Sequence, residues 1–192
     1  MIRWATAAAT VRLAERGIRS VVLGLPTTVH GEGDHGFIHT VGVVAREKGV
    51  SGYIDDGTHT WPAVHRLDAA RLLRLAVDKA PAGTVLHAVA EPDIPTREIA
   101  EAIAHKLDVP TASIPSDAAA AHFGWVAPFW GMSLTGDSGP ARELLGWEAH
   151  APHPAGEHRQ VLRLQELNDH SERDASYPAA AGCPYSLPPQ RV

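Results

Sequence analysis

The stretch His30 to His39, HGEGDHGFIH, holds two sets of residues whose types and spacing could do chemistry. Gly31, Gly33 and Gly36 spell G-x-G-x-x-G. In a dinucleotide site such glycines make a tight turn, let the backbone approach the pyrophosphate, and let the next helix pack on its strand. His30, Asp34, His35 and His39 could instead offer imidazole and carboxylate ligands to a metal ion, with His35 and His39 at i, i+4. The glycine fingerprint needs a strand running straight into its first glycine. Here the apolar run stops at Pro26, and Thr27 to His30 intervene before Gly31. Asp55 does stand about 20 residues on, where the fingerprint wants an acid. The metal set has no H-E-x-x-H and no paired C-x-x-C beside it, and a chain with 12 histidines brings some together by chance. For both sets the plainer reading is a glycine-rich polar turn between a strand and a helix.

The elements around this turn follow from the spacing of apolar residues. Trp4 to Arg16 reads as an alanine-rich helix stopped by Gly17, and Ile18 to Leu25 as a buried strand closed by Pro26. Phe37 to Lys48 reads as a helix ended by Gly49. Ser51 to Asp55 and Thr60 to His65 read as strands on either side of Asp56-Gly57. Asp68 is expected to cap the next helix, whose Ala69, Leu72, Leu73, Ala76 and Val77 share one face. Val85 to Val89 is a further strand, and Pro95 opens a helix with Ile99, Ile103 and Leu107 inward. Short helices are expected at Ser116 to Phe123 and Gly139 to Leu145. Strands alternating with helices give an α/β class with three or four strands. From Glu148 prolines accumulate without a period; Val161 to Leu167 could form a turn or two of helix, and the rest is expected to be disordered.

Bulk composition narrows the functions. The 192 residues are 44% hydrophobic and 20% charged, enough for one core. The net charge of -5 and scattered Lys and Arg argue against nucleic acid as a partner. No apolar run reaches the roughly 18 residues of a membrane span. The single Cys183 cannot form an internal disulfide, and no signal-peptide pattern opens the chain, so a cytoplasmic location is expected.

Four segments, in order, resemble the NAD(P)-dependent epimerases/dehydratases, the extended short-chain dehydrogenase/reductase family. SVVLGLPTTVHGEGDHG (Ser20 to Gly36) resembles the strand and proline-containing loop that lead into a V-[YH]-G-x-G turn. WPAVHRLDAARLLRLAVD (Trp61 to Asp78) resembles the segment with a V-H-x-x-D core. PTREIAEAIAHKL (Pro95 to Leu107) is similar to a helix of the substrate domain, and ARELLGW (Ala141 to Trp147) to the closing L-G-W motif. The resemblance implies an incomplete Rossmann-like parallel sheet with a small C-terminal α/β substrate-binding subdomain over residues 1–147, and a disordered, proline-rich tail over 148–192. It implies that the glycines of 31–36 turn the chain toward the substrate region instead of cradling a pyrophosphate.

By the same resemblance, Pro26, Thr27, Thr28 and Val29 would lie beside the nicotinamide of NAD or NADP, where backbone groups do much of the work. His30, His35, Phe37, Trp61, His65 and Trp130 would line the substrate region. Of the aromatic group Phe123, Trp125, Phe129 and Trp130, the residues form either core or a lid that favours an apolar, non-nucleotide substrate. Trp61 stands where nucleotide-sugar enzymes often carry an arginine, and tryptophan cannot pair with a diphosphate. His65 reads as a structural strand-end residue.

The family's G-x-x-G-x-x-G loop and its Tyr-x-x-x-Lys pair have no counterpart in the sequence; Tyr53, Tyr177 and Tyr185 have no lysine four residues on. The expectation is therefore the C-terminal part of an epimerase/dehydratase or reductase acting on a small hydroxy or carbonyl substrate. Such a chain would be inactive alone, because the missing acid–base pair contributes roughly 10²–10⁴-fold. An exposed sheet edge would favour homo-oligomers. The alternatives are a non-enzymatic, truncated module that binds a small molecule or a partner, and a metal hydrolase built on the histidine turn.

Overall fold

In the computed structural model, residues 2–31 and 35–150 are described. Helix α1 (Ile2–Arg12) tightens into a 3-10 turn (Leu13–Arg16) that stops at Gly17, in the left-handed region at φ 76°. Then follow β1 (Val21–Gly24), β2 (Thr28–His30), α2 (Phe37–Lys48), β3 (Ser51–Ile54), β4 (Thr60–His65), α3 (Arg66–Lys79) and β5 (Thr84–His87). The chain continues through β6 (Glu91–Pro95), α4 (Thr96–Leu107), β7 (Thr111–Ile114), α5 (Ala119–Phe123), a 3-10 turn (Gly124–Val126), α6 (Ala127–Trp130) and α7 (Gly139–Leu145).

The strands form three small sheets, ordered β1-β5, β2-β4-β6 and β3-β7. Every pairing is parallel except β4 with β6. The expected α/β class with parallel sheet is therefore the observed one. The strand count is a correction: seven strands form where three or four are expected, with β2, β6 and β7 the additions. β2 is three residues long, and β6 carries Pro92 and Pro95, which look like turn signals. Proline is tolerated on an edge strand or at a bulge, and β6 supplies both. Trp61 pairs with Ile94 and Ala63 with Glu91, so Pro92 and Asp93 together stand opposite Pro62. That bulge absorbs a proline in the middle strand of the sheet. Pro95 ends β6 and does not open the helix, which starts at Thr96.

Two cores result. Trp61 and Ala63 of β4, Ile38, Val41 and Ala45 of α2, Ile99 and Ile103 of α4, and Phe123 and Trp130 form the first. Val64 of β4, Leu72 and Ala76 of α3, Leu86 of β5, Ala141 and Leu145 of α7, and Trp147 form the second. β4 thus feeds one core through Trp61 and Ala63 and the other through Val64, with Pro62 also buried. The helices turn inward at the expected periods, such as Ile38, Val41, Gly42 and Ala45 in α2.

The first core closes on Gly52 of β3. A Cβ there would stand 2.7 Å from Ile114 Cγ1 and 2.9 Å from Phe123 Cζ. The Gly52 carbonyl also accepts the Trp130 indole N–H at 3.2 Å. Gly52→Ala is expected to lower stability by about 2 kcal/mol through overpacking. Urea unfolding would read it as a lower midpoint at unchanged slope, and an unchanged midpoint would refute the tight fit.

Candidate functional site

Parallel strands expose their ligand-binding ends at their carboxyl termini. β2 and β4 run in register, Thr28 against Ala63 and His30 against His65, so both strands finish on a histidine. The two rings meet edge to face, 5.4 Å between centroids. Alternation along β2 puts Thr28 and His30 on one face, and both are buried. Thr28 Oγ1 and His30 Nδ1 have no hydrogen-bond partner among the described residues. Burial first, and the neighbouring His65 second, lower the His30 pKa to about 4, while Asp68 pulls the other way. His30 is therefore a neutral ring at physiological pH.

His65 turns the chain into α3. Its Nδ1 accepts the Leu67 N–H at 3.3 Å, so it is the N-cap. In the neutral ring this leaves the proton on Nε2. The expected cap, Asp68, is corrected: it lies in the first turn of α3, buried, with a different task. Its Oδ1 accepts from Arg71 Nη2 at 2.8 Å and from the His150 N–H at 3.0 Å. Its backbone carbonyl accepts the Trp147 indole N–H at 3.1 Å. Arg71 also donates to the Glu148 carbonyl. The V-H-x-x-D and L-G-W segments, 79 residues apart at these two atoms, thus meet on one carboxylate-bearing turn.

The glycine turn of 31–36 finds a partial explanation. Gly31 sits at φ 141°, and a Cβ there would lie 2.9 Å from Arg66 Cγ and 3.1 Å from His65 Nε2. It is glycine because β4 and α3 crowd it. Gly36 precedes α2 as its N-cap; Gly33 and Asp34 lie outside the described residues. Asp55, the acid of the fingerprint reading, accepts the Ser116 N–H at 3.0 Å and anchors a loop. Among the described residues no group of three or more His, Cys, Asp or Glu could hold a metal. His35 and His39 stand ring to ring at 5.7 Å.

Pro26 and Thr27 are half-buried between β1 and β2, and Thr28 and Val29 belong to β2 itself, which corrects the loop reading of that stretch. Phe37, the first residue of α2, touches Trp61 at 5.4 Å, Trp125 at 5.5 Å and Phe129 at 5.2 Å. The aromatic group splits into two. Trp61 and Trp130 are fully buried, their N–H groups bonded to the Phe129 and Gly52 carbonyls. These two support a wall from behind and present no surface. Trp125, 63% exposed, and Phe129, 41% exposed, present the surface, with Phe37 between them and Trp61. Their i, i+4 spacing was the available signal, because Trp125 and Phe129 fall on one face once the segment is helical.

Parallel strands alternating with helices, and a candidate site at strand carboxyl ends, define a Rossmann-like α/β protein. No family model matches the chain. An uncharacterised protein of Schizosaccharomyces pombe is 46% identical over 139 residues, 72% of this chain and 47% of that protein. An uncharacterised protein of Saccharomyces cerevisiae is 39% identical over 148 residues, 77% of this chain and 50% of that protein. The chain spans about half the length of the curated relatives it matches.

Similar solved structures include epimerases and dehydratases. A nucleoside-diphosphate-sugar epimerase from Pseudomonas aeruginosa matches with a TM-score of 0.59 at 18% identity, over 78% of this chain and 49% of that one. A dTDP-glucose 4,6-dehydratase from Streptomyces venezuelae, solved with NAD, gives 0.57 at 17%, over 75% and 43%. A further P. aeruginosa protein, solved with NADPH, gives 0.56 at 13%, over 78% and 49%. At these identities the likeness shows the fold. Among the described residues no helix is long and apolar enough to cross a membrane.

Proposed function

We propose that this chain forms the substrate-side part of an NAD(P)-dependent oxidoreductase of the epimerase/dehydratase type, acting on a small hydroxy or carbonyl compound. The observation that carries the reading is the pair of buried, unpartnered polar atoms, Thr28 Oγ1 and His30 Nδ1, at the carboxyl end of a parallel strand. They fit a cofactor's polar edge, because buried groups of this kind keep unused hydrogen-bonding capacity. Residues 26–29 would lie along the nicotinamide. When bound, that group supplies or accepts hydride. The chain's own residues would hold the ring, exclude water, and present the Phe37, Trp125 and Phe129 surface to an apolar substrate. The neutral His30 ring would add no charge there, which suits an uncharged substrate better than a diphosphate.

The 192 residues hold neither a G-x-x-G-x-x-G loop nor a Tyr-x-x-x-Lys pair. The purified chain alone is therefore expected to show no saturable binding of NADH or NADPH up to concentrations on the order of millimolar. Tryptophan fluorescence, with transfer to bound nicotinamide, is the measurement. Addition of a polypeptide bearing a glycine-rich dinucleotide loop is expected to bring saturation. Micromolar saturation by the chain alone would overturn the dependence on another polypeptide. No saturation in either case would sink the cofactor reading.

A further inference from the structure

β1 has the sequence of an interior strand and the surroundings of an edge. Val21-Val22-Leu23-Gly24, followed by Leu25, is continuously apolar, the signature of a parallel strand covered on both faces and paired on both sides. Yet β1 pairs only with β5, and the β1-β5 sheet has two strands among the described residues. All four β1 residues are only half-buried. β5, Thr84-Val85-Leu86-His87, is different: it ends in polar residues and alternates in exposure, as an edge strand does. Around β1 lie large apolar side chains left in water. Leu25 and Ile18 flank it, Val85 stands beside Val22 in register, and Trp4 lies on α1, which packs on β1. Helices α1, α3 and α7 cover the faces of this sheet, but the outer edge of β1 still presents backbone groups with no partner strand among the described residues.

We infer that the free edge of β1, with the exposed face of α1 beside it, is a docking surface, and that its occupant is a polypeptide supplying a strand parallel to β1. This rests on the reading above, in which other chain supplies the cofactor cradle. The occupant's size follows from the relatives, which carry about as much chain again beyond the part matched here. A second copy fits less well. A two-fold axis would set β1 antiparallel to its mate, whereas the sheet it would extend is parallel.

The probe is the part of the S. pombe relative that lies outside the matched segment, co-expressed with the full chain carrying an affinity tag. A 1:1 complex by native mass spectrometry is expected, with slowed hydrogen exchange at the amides of Val21 to Gly24. Val22→Lys combined with Leu25→Lys is expected to weaken the complex at least tenfold while the far-UV circular dichroism of the chain alone stays unchanged. Absence of co-purification overturns the inference. So does a homodimer that excludes the probe, or a monomer whose β1 amides already exchange slowly. Complex formation without NADH binding would support the docking surface and sink only the cofactor reading, so the two failures are distinguishable.

Discussion

Between pH 7.5 and pH 5.0 the protein is expected to lose about 2 kcal/mol of folding stability through His30 alone. The unfolded ring titrates near its ordinary value of 6.5, and the folded one at about 4, because it is buried at the end of β2 with His65 beside it. Above pH 6.5 both states hold a neutral ring and the full stability is present. As the pH falls below 6.5 the unfolded chain takes up a proton that the folded one refuses, so stability drops until the folded ring titrates near 4. Over that whole window the loss approaches about 3 kcal/mol. Urea midpoints at the two pH values, in the wild type and in His30→Asn, isolate the contribution. The variant should be less stable at pH 7.5 and lose less on acidification, keeping only the slope of its carboxylates and of His122, whose burial also holds its pKa below the usual value. An equal slope in both proteins would show that His30 is not the responsible group.

Asp68→Ala is expected to lower stability by about 3 kcal/mol. The carboxylate is buried and joins α3 to the segment after α7 through Arg71 and the His150 amide. Its removal strands both donors, although Arg71 is part-exposed and water can hydrate it, which keeps the loss below that of a fully buried pair. Asp68→Asn preserves an acceptor for the amide and should recover about half of the loss. Hydrogen exchange would localise the effect, with faster exchange at Trp147 to His150 in the alanine variant. A global loss without local opening at those residues would refute the latch.

Several elements are legible in the sequence because their apolar faces repeat or their ends carry Gly and Pro signals. Phe37–Lys48 and Gly139–Leu145 are found where the spacing predicts them, as is the strand Thr60–His65. What was hidden depends on partners distant in sequence. Thr28–His30 is too short to show a period and is a strand only because β4 lies alongside. Glu91–Pro95 shows no strand pattern in sequence, and only the bulge opposite Pro62 makes room for its prolines. Thr111–Ile114 exists because β3 receives it. Asp68 reads as the cap because aspartate is the commoner capping type; a histidine that ends a strand performs the cap, and the acid is released to hold the L-G-W segment. At the site, the resemblance puts Trp61 and Trp130 in the substrate region, yet it does not say which side of a wall an indole faces, and both are buried. Trp125 and Phe129 face outward only because α6 and the turn before it are helical.

The interleaved strand order also has a temporal consequence. Val21 pairs with Thr84, Thr28 with Ala63 and Ser51 with Thr111, so no sheet contains a hairpin between neighbouring strands. Such high contact order slows folding, since each loop must close before its contacts repay the lost entropy. During synthesis the apolar β1 leaves the ribosome long before β5 exists, and β3 long before β7. In that interval a nascent chain that ends before Thr84 leaves Val21 to Gly24 without their partner strand.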